Sequence, residues 1–169
     1  VWATSWGVSS RLLGALIMTH SDDNGLVLPP MLAPFQVVIV PIFKNQDELA
    51  LISDVVEKLK SDFLRNSISV KFGNRDKIRP GEKFAQYEIQ GVPIRLTLGP
   101  KDLKHKTVEI FRRDSLTKET IKIENSVSKI SNLLEKIQKT MYDNALSYRN
   151  DNITEVDNFD DFKKILNDN

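Results

Sequence analysis

The residues best suited to chemistry gather in one stretch, Phe84 to Asp102, FAQYEIQGVPIRLTLGPKD. Glu88, Arg95, Lys101 and Asp102 surround a single short predicted strand. Arginine and lysine only donate hydrogen bonds, and ionised carboxylates only accept them. Four such groups at a strand edge make a small charged platform that suits a planar polar ligand such as a nucleobase. The plain alternative is a polar face with solvated turn ends. Phe84 is either core or a stacking face for a base. The loop Gly73 to Pro80, GNRDKIRP, adds Arg75, Lys77 and Arg79 just beyond a predicted strand end, where ligands often meet an α/β sheet. His20, Asp22 and Asp23 match no defined metal spacing and read as a polar turn. Arg11 falls in the first turn of a predicted helix, where the helix dipole disfavours a cation. A bound anion would account for it, as would simple exposure.

Periodicity predicts the elements that must position these groups. Val92, Ile94, Leu96 and Leu98 alternate with Pro93, Arg95 and Thr97, the pattern of a half-buried strand between a turn at Gly91 and a turn at Gly99-Pro100. A short helix, Gly81 to Gln90, precedes it. Further upstream, Phe35 to Phe43 is almost wholly apolar and predicts a central strand covered on both faces. Asn45 and Glu48 form a capping-box-like start to a helix whose apolar stripe is Leu49, Ile52, Val56, Leu59 and Phe63. That helix ends at Asn66-Ser67, and Ile68 to Phe72 alternates as a second strand. Strand, crossover helix and strand imply a parallel pair with a right-handed connection. Thr107 to Arg112 and Thr117 to Glu124 read as an antiparallel hairpin with Arg112 and Arg113 at its tip. Val127, Ile130, Leu134, Ile137 and Met141 predict a long amphipathic helix lying across the sheet.

At the start, Leu12, Leu13, Leu16 and Ile17 have helical spacing, with Ser9 or Ser10 as candidate cap. Thr19 to Gln36 holds turn residues and then Pro29, Pro30 and Pro34, a stiff connection between two units. Asp151 to Asn158 reads as a linker before a short amphipathic piece carrying Phe159, Phe162, Ile165 and Leu166. The element order is therefore β-α-β-α-β-β-β-α, a mixed α/β sheet with helices on its faces, preceded by a fragment of something else.

The chain has 169 residues, 40% hydrophobic and 28% charged, enough for one globular domain with appendages. A net charge of +1 makes the whole molecule a poor general attractor of nucleic acid, so any RNA contact must be local. The absence of cysteine excludes disulfides and cysteine-ligated zinc. No apolar run is long enough to span a bilayer. The first residue is Val, and no signal-peptide pattern follows, so the start is expected to be a cut within a longer protein. The residues alone leave two classes open, an RNA-binding module and the ligand domain of a larger enzyme.

Two stretches carry a resemblance. Thr4 to Ile42, TSWGVSSRLLGALIMTHSDDNGLVLPPMLAPFQVVIVPI, resembles the junction in prolyl-tRNA synthetases of the eukaryote/archaeon-like type. There the third motif of the class II catalytic domain runs into the anticodon-binding domain. Gly91 to Leu103, GVPIRLTLGPKDL, is similar to the anticodon-binding signature of that family. The resemblance covers Val1 to about Tyr148 and implies a three-layer α/β fold with a five-stranded mixed sheet and flanking helices. It implies that residues 1–34 are the end of the catalytic domain with its connector, 35–150 the anticodon-binding domain, and 151–169 a linker and the start of a C-terminal extension.

The roles it implies are as follows. Arg11 matches the catalytic arginine that contacts ATP phosphate. Thr4, Ser5, Trp6 and Gly7 match the segment lining the adenylate pocket, although Ser9-Ser10-Arg11 stands where the family pattern has Ser-Thr-Arg. Phe84, Glu88, Arg95, Lys101 and Asp102 match the positions that read the two guanines of a proline anticodon. The implied parent is a cytoplasmic homodimeric proline–tRNA ligase that uses ATP with Mg²⁺, proline and tRNA(Pro). This chain, lacking the first two class II motifs, is expected to bind the anticodon but to need no cofactor or metal and to carry no aminoacylation activity. A stand-alone anticodon-domain relative serving as an RNA-binding accessory protein is the alternative.

Overall fold

The computed structural model describes residues 2–75 and 78–167; Lys77 of the basic loop lies outside them. The chain divides into two compact units, Val1–Gln138 and Lys139–Asn169. The first is built on a five-stranded sheet, in which the second strand in sequence lies at one edge and the other four follow it in chain order. The strands are β3 (Val37–Pro41), β4 (Val70–Phe72), β5 (Ile94–Leu98), β6 (Thr107–Arg112) and β7 (Lys118–Lys122). β4 and β5 flank β3 in parallel, and β6 and β7 continue antiparallel beyond β5, so the sheet is mixed as expected.

Chirality places the helices. Helix α2 (Gln46–Arg65) joins β3 to β4 on one side, and helix α3 (Pro80–Ile89) carries the chain from β4 back across β3 to β5. Two right-handed crossovers in opposite directions put their helices on opposite faces. Tyr87 of α3 packs with Val38, Val40 and Val92 on one face, with Phe35 and Phe84 beside them. On the other face, Val37, Ile39, Ile94, Leu96 and Ile110 meet the buried stripe Ile52, Val56, Leu59 and Phe63 of α2. Burial of each such side chain contributes roughly 1.5–3 kcal/mol. That face is completed by the first part of α5 (Ser126–Asp151), where Ile130, Leu133, Leu134 and Ile137 are buried and Lys129 pairs with Glu119 of β7 at 2.9 Å. Three layers result.

Local chemistry sets the boundaries. The Asn45 side chain accepts from the Glu48 amide at 2.9 Å and starts α2. The Glu48 carboxylate takes the Lys44 amide at 2.8 Å, one residue outside the expected box. Pro80 sits in the first turn of α3, where a missing N–H costs nothing.

Several expectations are corrected. The strand holding Arg95 is not at an edge and not half buried: β5 lies between β3 and β6, and all of its residues are buried. Alternation alone could not show this, because Arg95 and Thr97 are covered by neighbouring side chains and not by water. Gly99-Pro100 is not just a turn but opens a helix, α4 (Pro100–His105), whose start is closed by the Asp102 carboxylate accepting from the Gly99 amide at 2.9 Å. Helix α1 (Arg11–Thr19) has Ser10 at its start in helical conformation, with no side-chain cap from it. The His20–Asp23 region is a ribbon of two short strands, β1 (Ser21–Asp22) and β2 (Gly25–Leu26).

The second unit is Lys139–Asn169. It contains the remainder of α5 and helix α6 (Phe159–Asn167). Asn158 caps α6, accepting from the Asp161 amide at 2.9 Å, and Phe159 and Phe162 stack at 6.2 Å between ring centroids.

Candidate nucleic-acid interface

Phe84 and Glu88 stand one helical turn apart on α3, so their side chains share a face. The turn at Gly91 reverses the chain into β5, which brings Arg95 beneath that face. The guanidinium carbon of Arg95 lies 3.9 Å from the Phe84 ring centroid and 4.3 Å from that of Phe111, its cross-strand partner on β6. Arg95 Nη1 donates to Glu88 Oε1 at 2.6 Å. The Arg95 side chain is 5% exposed and that of Glu88 30% exposed, so the pair runs from the protein interior to its surface. Taking a guanidinium out of water is expensive. Here a carboxylate and two aromatic faces offset that cost.

The bonding of this cluster is incomplete. Arg95 Nε and Thr97 Oγ1 are buried without a hydrogen-bond partner among the described residues. Both side chains stand on the α3 face of β5, two residues apart. Buried polar atoms are nearly always bonded, and exceptions concentrate where a ligand or a function uses them. The cluster presents at the surface a carboxylate with an oxygen to spare and aromatic surface, above a guanidinium that is itself shielded from solvent.

Lys101 and Asp102 lie beyond the other end of β5. With Phe43, Lys44, Glu48 and Gly99 they line a crevice of about 370 Å³. It sits outside the carboxyl ends of the parallel strands β3 and β5, at the point where the strand order reverses, a common ligand position in such sheets. Lys101 is exposed, while one oxygen of Asp102 is committed to the Gly99 amide. The five residues expected to read the anticodon therefore form two groups, Phe84–Glu88–Arg95 and Lys101–Asp102. Thr4, Ser5, Trp6, Gly7 and Arg11 are not drawn into either. They are exposed, the first four in an irregular segment and Arg11 in the first turn of α1.

Two participants, Phe111 and Arg113, were not legible as such. Phe111 alternates correctly for a strand, but nothing in its neighbours pairs it with Arg95. Arg113, expected at an exposed hairpin tip, has a side chain only 1% exposed and binds Asp22 through two nitrogens, one of them at 2.7 Å. It is Arg112 that stays at the tip, paired with Asp114 at 2.7 Å. The Arg113 hydrogen bond holds the Asp22 carboxyl at about 2, below its ordinary 3.8, against an opposing push from partial burial. Among the described residues no group of His, Asp or Glu could hold a metal ion. No helix among them is long and apolar enough to cross a membrane.

Residues 36–133 match the family model for the anticodon binding domain. The chain belongs to this family. It is 61% identical over 166 residues to the proline–tRNA ligase of Christiangramia forsetii, covering 98% of this chain and 34% of that protein. The proline–tRNA ligase of Flavobacterium johnsoniae is 56% identical over the same shares. That of Bacteroides fragilis is 57% identical over 97% of this chain and 33% of its own length. The chain thus spans about a third of the length of the curated relatives it matches. The matched family region contains both groups around β5, so each candidate base-reading residue belongs to this anticodon-binding domain, whereas residues 1–35 precede it.

Proposed function

We propose that this chain is the anticodon-reading part of a proline–tRNA ligase and binds tRNA(Pro) through the two guanines of its anticodon. The observation that carries the reading is the Arg95–Glu88 pair, which runs from the interior to the half-exposed Glu88, with the Arg95 guanidinium against the Phe84 and Phe111 rings. Guanine presents N1–H and an N2 amine as donors and O6 and N7 as acceptors. Arg95 and Lys101 supply donors for O6 and N7, and Glu88 and Asp102 supply acceptors for N1 and N2. Two groups at the two ends of one strand suit two bases. Unpaired loop bases are the appropriate target because their edges are free. Phe84, half-buried at the surface, adds a stacking face worth roughly 1–3 kcal/mol per base.

Residues 1–34 are the end of a class II catalytic domain with its connector, 35–150 the anticodon-binding domain, and 151–169 a linker and the start of an extension. The whole enzyme is a cytoplasmic homodimer that activates proline with ATP and Mg²⁺ and transfers it to tRNA(Pro). Thr4, Ser5, Trp6, Gly7 and Arg11 are exposed. The purified chain is expected to form no prolyl-adenylate.

The test is binding to a synthetic tRNA(Pro) anticodon stem-loop and to a copy with both guanines replaced by adenine. The chain should prefer the guanine loop. Arg95→Ala should weaken that binding by about tenfold or more, and Lys58→Ala on the outer face of α2 should leave it unchanged. Glu88→Gln, which keeps its side-chain shape, should repeat the Arg95→Ala loss in a folded chain. Equal binding of both loops, or equal effects of Arg95→Ala and Lys58→Ala, overturns the reading.

A further inference from the structure

Arg113 bonds to three separate segments through its side chain. Nη1 and Nη2 grip the two carboxylate oxygens of Asp22 on β1, Nη2 also donates to the Gly25 carbonyl on β2 at 3.2 Å, and Nε donates to the Glu88 carbonyl at 3.1 Å. Its own backbone amide donates to the Pro93 carbonyl at 3.0 Å, just before β5. Glu88 lies in the last turn of α3, where carbonyls lack helical partners and a cation is favoured by the dipole. The Glu88 carbonyl also accepts from the Gly91 amide at 3.0 Å, so residue 88 is held at its carbonyl by Arg113 and the Gly91 turn and at its carboxylate by Arg95.

The β1–β2 ribbon is also seated by shape. Gly25 has φ +126, and a Cβ there would fall on the Ile89 backbone. A Cβ on Gly91 would come within 2.6 Å of Leu26 Cβ. The Leu28 amide reaches the Gly91 carbonyl at 3.4 Å, and Asp22 Oδ1 also accepts from the Asn24 amide at 2.8 Å. The ribbon therefore closes on the turn that separates Glu88 from Arg95.

We propose that Asp22 and Arg113 are positioning residues for base discrimination, fixing the last turn of α3 so that the Glu88 carboxylate stays aimed at the base while paired to Arg95. The proposal rests on the anticodon reading above and goes beyond it, since neither residue is among the base contacts that reading assigns. Loss of the Asp22 grip leaves the Arg113 side chain with one carboxylate fewer and frees the end of α3. The carboxylate then samples positions in which it no longer accepts from guanine.

The experiment compares the chain's dissociation constants for the tRNA(Pro) anticodon stem-loop with guanine and with inosine at the two positions. Inosine lacks only the N2 amine that an accepting carboxylate reads. The unaltered chain should prefer guanine by about tenfold, and Glu88→Gln should remove most of that preference. Asp22→Asn and Arg113→Lys should each lower the ratio severalfold. A general loss of stability would weaken both loops alike and leave the ratio unchanged, so a lowered ratio marks positioning; in a Glu88→Gln background, Asp22→Asn should change it no further. A ratio unchanged by Asp22→Asn while Glu88→Gln abolishes it overturns the positioning role and leaves the anticodon reading standing. Independent, multiplying losses in the double variant also overturn it. An undiminished ratio in Glu88→Gln removes both. If Arg113→Lys does not fold, Asp22→Asn, whose side chain keeps the same shape, carries the test.

Discussion

Arg95 and Phe111 face each other across β5 and β6, with the guanidinium carbon 4.3 Å from the ring centroid. Phe84 of α3 approaches the same guanidinium at 3.9 Å, so two rings contact the one cation. Phe111→Leu keeps the apolar volume and removes the ring face. We expect it to destabilise the chain by about 1–2 kcal/mol and to lower the guanine preference in the same preparation. Urea unfolding checks the first effect, and stem-loop titration the second.

The Gly25 contact with Ile89 is a steric prediction. Gly25→Ala meets both a left-handed backbone requirement and the α3 main chain. It should cost more than about 2 kcal/mol. Gly14→Ala on α1, where a Cβ meets nothing within 4 Å, is the control and should be neutral or slightly stabilising. Thermal midpoints of the two variants distinguish them.

The Asp22–Arg113 bond has a pH signature. The folded-state value for Asp22 lies below its ordinary one, so the bond's contribution is complete above that ordinary value and is lost as pH falls from 3.8 through about 2. Thermal midpoints measured across that window should fall more steeply for the unaltered chain than for Asp22→Asn, which has no proton to gain. Parallel slopes would show that the carboxylate contributes nothing to folding in this range.

Lys101 and Asp102 should separate cleanly. Asp102→Ala removes the carboxylate that closes the start of α4 and should cost about 1 kcal/mol, besides any effect on binding. Lys101 is exposed and bonds to nothing in the fold among the described residues, so Lys101→Ala should leave the unfolding midpoint alone and weaken stem-loop binding. The binding loss should shrink at high salt, because the contact is that of a surface cation.

Much of the sheet was legible because its signals are local. The apolar run at Phe35 to Phe43, the stripe of α2 and the alternation of β6 and β7 each report a period imposed by burial on one face or on two. Helix α4 was missed because six residues are too few to show a helical period, although Pro100 in its first turn and Asp102 bonding back to Gly99 are the usual opening chemistry of a helix. The pairing of Glu88 with Arg95 was legible as a proximity, since a turn at Gly91 folds one segment onto the other.

The chain's linear order by itself determined which residues alternate, where helices start and which charged groups stand close to β5, because those properties depend on neighbours within a few positions. Only the tertiary structure decided that Arg95 is buried in a central strand, that Phe111 covers it, and that Arg113 is an interior clamp while Arg112 remains at the surface. Each of those outcomes depends on sheet register and on a ribbon contributed from the far end of the unit. A side chain's environment is set by what packs against it, and for Arg113 the partner lies 91 residues away.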